Sequence, residues 1–334
     1  MRLVFDARWA GRHGIGRFAR ELRPRLAGSV VDVHGAHPVS PRGLIESELL
    51  PHRAAGGHER SATWFSPGYT PCLSWRGPHA FTVHDLIHLE VEGERSRAKD
   101  AYYRQVVRRA VRRPRGAVLT VSEYSRDRIA DWAGVDPARI TVVGNGVDDL
   151  FRPDGAAAAS HSPYLLHVGN PKPHRNLDRV LQALAGLPDV TLRLVTAPDR
   201  SLLDRAAALG VADRIGFETD VDDARLAALY RGARTVVVAS LHEGFGLPAL
   251  EGMACGVPVV ASNSTSLPEV VADAAVVVDP TDVEAIRHGI EQTLTNEDLR
   301  RRLATAGPLR AAHFRWDAVA DRVNAALAAE AGEP

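Results

Sequence analysis

The sequence predicts an α/β protein made of two doubly wound, Rossmann-like units. Three observations carry that prediction. Short β-branched runs alternate with amphipathic helical stretches from one end to the other, as expected of parallel sheets covered by helices. The 334 residues are about twice the usual single-domain length. Midway, the stretch 151–163 (FRPDGAAAASHSP) follows neither periodicity and is rich in Pro, Ala, Gly and Ser. The expected organisation is a unit over 1–150, a linker over 151–163, a second unit over 164–312 and a helical segment over 313–334 that crosses back to the first unit.

In the first half, strands are expected at Arg2–Phe5, Val30–His34, Ala80–Val83, Ala117–Val121 and Ile140–Val143, with helices at Gly16–Leu26, Ala98–Arg113 and Ser125–Ala133. In the second half, strands are expected at Tyr164–Val168, Thr191–Val195, Ile215–Phe217, Thr235–Ala239, Val257–Ala261 and Ala275–Val278. Ligands of open parallel sheets bind beyond the carboxyl ends of the strands, so the chemistry is sought in the loops that follow them.

Composition narrows the class. Apolar residues at 45% and charged residues at 25% exclude a disordered, collagen-like or disulfide-stapled chain. No apolar run approaches the roughly 20 residues that span a bilayer. The opening MRLVFDARWA breaks any apolar run with Asp6 and Arg8, and only Cys72 and Cys255 are present, so a cytoplasmic protein without disulfides is expected. The zero net charge conceals a split. Residues 1–150 hold 23 Lys and Arg against 17 Asp and Glu, whereas residues 151–334 hold 18 against 24. A basic first half fits an anionic partner, and it fits equally well two domains of opposite sign. Lys99 and Lys172 are the only lysines, so arginine clusters partly reflect a compositional bias.

Gly14-Ile15-Gly16-Arg17-Phe18-Ala19 has the G-x-G-x-x-A spacing of a dinucleotide fold. The loop from Asp6 to His13 is too long for that fingerprint, and Asp32, the candidate ribose acid, lies inside a strand, so a nicotinamide cofactor is set aside. What remains is either a plain tight turn or a glycine loop that offers N–H groups and a helix dipole to an anion.

The segment 240–262, SLHEGFGLPALEGMACGVPVVAS, reads as a strand end, a loop, a helix begun by Pro248 and stopped by Gly256, and a further strand. Glu243 falls in the loop and Glu251 eight residues later, in what is expected to be the first helical turn. Two carboxylates beside flexible glycines suit a polyhydroxylated ligand, each accepting hydrogen bonds from vicinal hydroxyls. Glu251 could equally be a first-turn acid that complements the dipole. Upstream, His167-Val168-Gly169-Asn170-Pro171-Lys172-Pro173-His174-Arg175-Asn176-Leu177 ends one strand and opens a helix. There Lys172, Arg175 and the helix start could hold a diphosphate, or be solvated loop cations.

The run EGFGLPALEGMACGVPVVAS resembles the Glu-x7-Glu signature of the retaining glycosyltransferase family four enzymes, which have the GT-B fold of two Rossmann-like domains facing across a cleft. GNPKPHRNL resembles the family's diphosphate loop, TVHDLIH its histidine loop, HGIGRFAREL its N-terminal glycine loop, and VSEYSRDRI with VVGNGVDDLFRP the end of the first domain. The resemblance implies that Glu251 holds the nucleotide ribose and Glu243 lies against the donor sugar. It implies that amides of Phe245, Gly246 and Leu247 meet sugar or phosphate, and that Arg175 and Lys172, beside Gly169 and Asn170, grip the diphosphate. It also places His84 near the reacting carbon and Gly14 and Gly16 near the phosphates. His84 could instead be an ordinary strand-end histidine fixed by Asp85, and His174 stands where the family commonly has Arg.

The resemblance therefore implies transfer of a hexosyl group from a nucleoside-diphosphate sugar to an acceptor hydroxyl on a glycan, lipid-linked or small molecule, with retention of configuration. Attack would come from the front face, with a donor phosphate oxygen taking the acceptor proton, and closure of the cleft about 151–163 would exclude water. No cofactor or metal is expected, because arginine, lysine and amide dipoles can stabilise the leaving diphosphate. The GN-x-K-x-H-R-N loop resembles members that use GDP-mannose, with a UDP-hexose donor as the alternative. A non-catalytic transferase-like binding subunit, a phosphorolytic enzyme and a sugar-nucleotide hydrolase are the competing functions. On the expected helix Ala98–Arg113, Arg104, Arg108 and Arg112 form a basic stripe that Arg109, Arg113 and Arg115 extend, opposite Tyr103, Val107, Ala110 and Val111. Two readings stay open: peripheral docking on the anionic inner face of a membrane, or packing on the first sheet with solvated arginines. No nucleic-acid partner is expected.

Overall fold

The computed structural model describes residues 2–11, 14–113, 115–160 and 162–332. The chain forms two compact units, one of Met1–Glu90, Glu94–Gly146 and Trp316–Pro334, the other of Val91–Gly93 and Val147–Arg315.

The first unit holds a six-stranded sheet in the order β2-β1-β3-β4-β5-β6, from β1 (Arg2–Asp6), β2 (Ser29–Val33), β3 (Ala62–Ser66), β4 (His79–Thr82), β5 (Ala117–Thr120) and β6 (Ile140–Val142). Every pairing is parallel. The sequence expectation lacked β3 and the helix Pro41–Ala55. Strand β3, ATWFS, is buried at every position and so shows no alternation. The helix carries readable ends, with Ser40 Oγ accepting from Gly43 N–H at 3.0 Å and Gly56 in the left-handed region at φ 58°, but Pro51 interrupts its periodicity. The helix expected at Gly16–Leu26 spans Gly14–Leu22 and continues as a 3₁₀ turn at Arg23–Arg25. Its buried residues include Phe18, Ala19 and Leu22, and a fully buried Phe or Leu contributes about 1.5–3 kcal/mol.

The expected helix Ala98–Arg113 is not continuous. It is helical over Arg97–Tyr102, π-helical over Tyr103–Val107 and helical again over Arg108–Val111. The wider turn shifts the periodicity, so Arg104, Arg108 and Arg112 do not share one solvated stripe. Arg108 lies 6.0 Å over the Trp132 ring, and Arg112 Nε donates to the Ala133 carbonyl. Tyr103, Val107, Ala110 and Val111 are buried, whereas Arg104, Arg109, Arg112 and Arg115 are exposed.

The second unit repeats the architecture in the order β12-β11-β10-β7-β8-β9, from β7 (Tyr164–Val168), β8 (Thr191–Val195), β9 (Ile215–Glu218), β10 (Thr235–Val238), β11 (Val259–Ser262) and β12 (Val276–Val278). These pairings are also all parallel. Leu165, Leu192, Leu194, Val237 and Val260 form the core with Val180, Leu184, Ile286 and Ile290 from covering helices.

The stretch 151–163, expected as a linker, is anchored on the second unit at a few points, although most of its described residues are exposed. Phe151 is buried with its ring edge-on to Tyr230 at 5.8 Å, Ala158 N–H donates to Ala228 O at 2.8 Å, and Arg231 Nε donates to Ala156 O at 2.8 Å. Missing periodicity marked irregular structure there, not an absence of packing. Apart from the short Val91–Gly93 segment, the chain passes between units at Gly146–Val147 and again at Arg315–Trp316. The C-terminal helix Trp316–Ala331 belongs to the first unit, where Arg322 Nε donates to Val143 O at 2.9 Å and Glu330 Oε2 accepts from Gly116 N–H at 3.0 Å.

Candidate functional site

In the second sheet, β7 and β10 are neighbours, while the chain leaves β7 toward β8 and β10 toward β11. The loops after β7 and β10 therefore diverge at a topological switch point, where open parallel sheets place ligands. After β7 the backbone passes through Gly169 at φ 137°, which a side chain rarely adopts, and a Cβ there would stand 3.3 Å from Arg175 Nε. Lys172 precedes a 3₁₀ turn at Pro173–Arg175, and Asn176, at φ 61°, begins the helix Leu177–Ala185. Buried Asn176 donates from Nδ2 to Ala239 O at 2.8 Å and Pro280 O at 2.7 Å. It ties together the loops after β7, β10 and β12, and its side chain tolerates the left-handed backbone.

The loop after β10 is held as firmly. Leu241 N–H donates to His174 O at 2.8 Å, and Ser262 Oγ to Ser240 O at 2.7 Å. Buried Glu243 is fixed at its backbone and its side chain. Its N–H donates to Thr265 Oγ1 at 3.0 Å, its carbonyl accepts from Ser266 Oγ at 3.0 Å, and Oε1 accepts from Ser240 Oγ at 2.8 Å. The same Oε1 pairs with Arg175 Nη1. Arg175 Nε has no acceptor among the described residues. The two loops thus bring together a cation and an anion that lie 68 residues apart.

Gly246, at φ 104°, lets the loop turn into the helix Leu247–Ala254, and a Cβ there would stand 2.5 Å from the Leu267 side chain. Because the helix starts at Leu247, Glu251 lies in its second turn rather than the first, too deep to act as a dipole-complementing acid. Glu251 is buried and its Oε2 accepts from Tyr230 Oη at 2.7 Å. Phe245 is buried with its ring edge-on to Phe314 at 5.7 Å, while Asn170 is exposed. Sequence reasoning did not find the supports Ser240, Thr265, Ser266 and Tyr230, which lie at ordinary spacings and carry no motif.

Beneath the pair lies His167 on β7. It is fully buried, with Nδ1 donating to Val237 O at 3.1 Å and Nε2 without a partner among the described residues. Burial, and secondly the Arg175 charge, push its pKa down to about 4, so the imidazole is neutral at ordinary pH. Burial likewise raises the Cys72 and Cys255 thiols to about 12, and both cysteines are free.

His84, Gly14 and Gly16 belong to the first unit. His84 is buried just past β4, where Nε2 donates to Pro67 O at 2.8 Å and the ring meets Phe18 edge-on at 5.0 Å. Gly14 opens the first helix, and a Cβ on Gly16 would stand 2.5 Å from the Gly11 backbone; His13 of that motif lies outside the described residues. Asp32 is paired with Arg23 rather than open to a ribose. Among the described residues no helix is long and apolar enough to cross a membrane, and no three His, Cys, Asp or Glu side chains gather as a metal site would require.

Comparison with known proteins gives a consistent result. The family described as Glycosyl transferases group 1 matches residues 153–310, and Glycosyltransferase Family 4 matches residues 57–149. The chain is 36% identical over 220 residues to O-antigen chain mannosyltransferase B of Escherichia coli, a match covering 60% of this chain and 57% of that protein. It is 30% identical over 308 residues to the D-inositol 3-phosphate glycosyltransferase of Frankia alni, covering 80% and 74%. Among solved structures, sucrose-phosphate synthase from Thermosynechococcus elongatus superposes with a TM-score of 0.81 at 20% identity, over 97% of this chain and 98% of that one. Anabaena HepE in complex with UDP-glucose gives 0.77 at 16% identity, over 98% and 100%. At such identities the likeness speaks for the GT-B fold alone.

Proposed function

The chain belongs to glycosyltransferase family 4, and on that premise we propose that it is a glycosyltransferase that moves a hexosyl group, mannosyl by preference, from a nucleoside-diphosphate sugar to an acceptor hydroxyl with retention of configuration. The observation that carries this reading is the meeting of Arg175 and Glu243 at the switch point, with Glu251 eight residues further on. Arg175 and Lys172 would take the diphosphate, and their charge would stabilise the leaving group without need of a metal. Glu243, held by Arg175 and by Ser240 Oγ at 2.8 Å, would accept from sugar hydroxyls. Glu251, steadied by Tyr230, would accept from the ribose diol. Gly169, Asn170, Phe245, Gly246 and Leu247 would bring backbone amides to the phosphates and sugar. His84 would contact the sugar near its reacting carbon, with Gly14 and Gly16 beside the phosphates, and a donor phosphate oxygen would take the acceptor proton.

Mannose is favoured by the GNPKPHRN loop and by the naming of two relatives at 36% and 35% identity as mannosyltransferases. A UDP-hexose donor is the second reading, favoured by the UDP-glucose complex of a protein of the same fold. The acceptor is a hydroxyl of a glycan, a lipid-linked sugar or a small molecule. A cytoplasmic site of action against an anionic membrane face is the acceptor-side part of the proposal, supported by the exposed Arg104, Arg109, Arg112 and Arg115.

A thermal-shift panel of sugar nucleotides tests the donor. A ligand at 100 times its Kd stabilises the fold by about 2.7 kcal/mol. GDP-mannose and GDP should raise the melting temperature, and Glu251→Ala should weaken that binding by about 1.5–3 kcal/mol. A shift with UDP compounds alone makes the UDP-hexose reading correct, and no shift with any nucleotide removes the transferase reading of this site.

A further inference from the structure

At the opposite, amino end of the second sheet lies a cavity of about 400 Å³. Its walls include Arg231, Arg234, Arg300 and Arg301, with Cys255 and Glu297. Arg234 immediately precedes β10, and Gly256–Pro258 immediately precede β11, so the cavity is separated from the Arg175–Glu243 pair by the length of the strands.

The charge of this cavity is unbalanced. Arg300 Nη1 and Arg234 Nη2 both approach the Leu294 carbonyl, at 2.8 and 3.5 Å. Arg231 donates from Nε to Ala156 O at 2.8 Å and from Nη1 to Leu150 O at 3.3 Å. None of these three arginines is hydrogen-bonded or ion-paired to a carboxylate among the described residues, and Glu297 acts on Arg234 only through its charge at longer range. The one carboxylate in the wall, Glu297, bonds to Arg301 at 3.0 Å. The Cys255 thiol, raised to about 12 by burial, stays protonated and adds no negative charge. Burial and the nearby Arg300 charge lower the pKa of Arg234, a sign that the cation is uncomfortable where it stands. Carbonyl bonding explains one or two donors of each guanidinium. It does not explain why several guanidiniums, each with five N–H donors, converge on a void holding one carboxylate.

We infer that this cavity is an anion site for a small phosphate-bearing molecule, separate from the donor site. Planar guanidinium forks match the oxygens of a phosphate monoester, and the volume accommodates the phosphate with a small organic group. Arg231 also holds the carbonyls of Leu150 and Arg152, close after the chain enters this unit at Val147, so a bound anion would bear directly on that segment.

The test is calorimetric titration of the full chain with inorganic phosphate and with glucose 6-phosphate at matched ionic strength, and co-sedimentation with phosphatidic acid vesicles to separate a soluble ester from a lipid headgroup. Both titrations are done in an Arg175→Ala background, which silences the donor-site cation and makes the result independent of the donor reading. Saturable binding that Arg234→Gln with Arg300→Gln weakens at least tenfold is expected, with no pelleting on vesicles. Should that double variant fail to fold, Glu297→Gln decides, since it keeps every arginine and removes the one carboxylate; it should tighten phosphate binding severalfold. No saturable phosphate binding, affinity unchanged in the double variant, or affinity unchanged in Glu297→Gln overturns the inference. Binding to vesicles but not to soluble esters overturns its assignment to a small molecule.

Discussion

Each unit has a switch point, and each switch point holds an arginine–carboxylate pair, but the two pairs are built for different ends. In the first sheet the divergence is between β1 and β3. There Asp6 and Arg8 pair at 2.7 Å with both side chains wholly buried. Thr70 Oγ1 donates to Asp6 Oδ2 at 3.1 Å, and Arg8 reaches Ser47 Oγ at 2.9 Å and Gly43 O at 3.0 Å. Trp9 Nε1 closes the network on Thr70 at 2.9 Å. In the second sheet Arg175 keeps 19% of its side chain exposed, and its Nε has no acceptor among the described residues. Topology selects the place in both units. Solvent access and spare hydrogen-bonding capacity separate a staple from a site.

Breaking the staple should have the largest effect. Asp6→Ala leaves the Arg8 cation buried without a counter-charge, which costs about 3–5 kcal/mol. Thermal unfolding should show the loss in the transition of the first unit, whereas Arg175→Ala should cost less because Glu243 keeps its Ser240 bond and the gap left by the partly exposed Arg175 side chain admits water. Equal losses in the two variants would erase the distinction between staple and site.

Arg175→Ala should instead appear in turnover. Removing a preorganised charge from the leaving group costs about 10²–10³ in kcat, with a smaller change in KM. Unchanged kcat in this variant would remove Arg175 from leaving-group stabilisation.

His167, which feels the Arg175 charge, carries a pH signature. The imidazole takes its proton near 6.5 when unfolded and near 4 when folded. Its contribution is therefore complete above pH 6.5 and is lost as pH falls toward 4, by up to about 3 kcal/mol. His167→Asn keeps a donor for Val237 O and removes the titration, so its stability should fall less steeply over that window than the parent's. Parallel pH profiles would show that the buried imidazole does not couple folding to protons.

The same contrast explains what the sequence made legible. All six strands of the second sheet were readable because Gly and Pro punctuate the chain around them and each is a short apolar run between helical stretches. The loops that carry Arg175 and Glu243 were readable because glycines and charges stand there at informative spacing. Strand β3, with both faces covered, offered no alternation, and without it the first switch point could not be located. Asp6 and Arg8 therefore looked like interruptions of an apolar run instead of a buried pair. The wide turn at Tyr103–Val107 was hidden for a different reason, since one extra residue in a helical turn leaves composition unchanged while rotating every later side chain. Supports such as Ser240 and Tyr230 act through distances that no spacing encodes.

The smallest expected effect concerns one such support. Tyr230 Oη donates to Glu251 Oε2 from the helix Asp223–Gly232, and both residues are buried. Tyr230→Phe keeps the ring, which meets Phe151 edge-on at 5.8 Å, so packing is preserved and the hydroxyl's bond to Glu251 is removed. The carboxylate remains, but it loses a donor that helps fix its direction. Nucleotide binding should weaken by about 1 kcal/mol, roughly fivefold, less than in Glu251→Ala, while the melting temperature of the nucleotide-free protein moves by only a few degrees. Isothermal titration with the preferred nucleoside diphosphate measures the difference. A loss as large as that of Glu251→Ala would mean that Tyr230 contacts the nucleotide itself. No loss at all would mean that the orientation of Glu251 is set by its helix, making the second site rigid through its backbone, as the first is through its buried side chains.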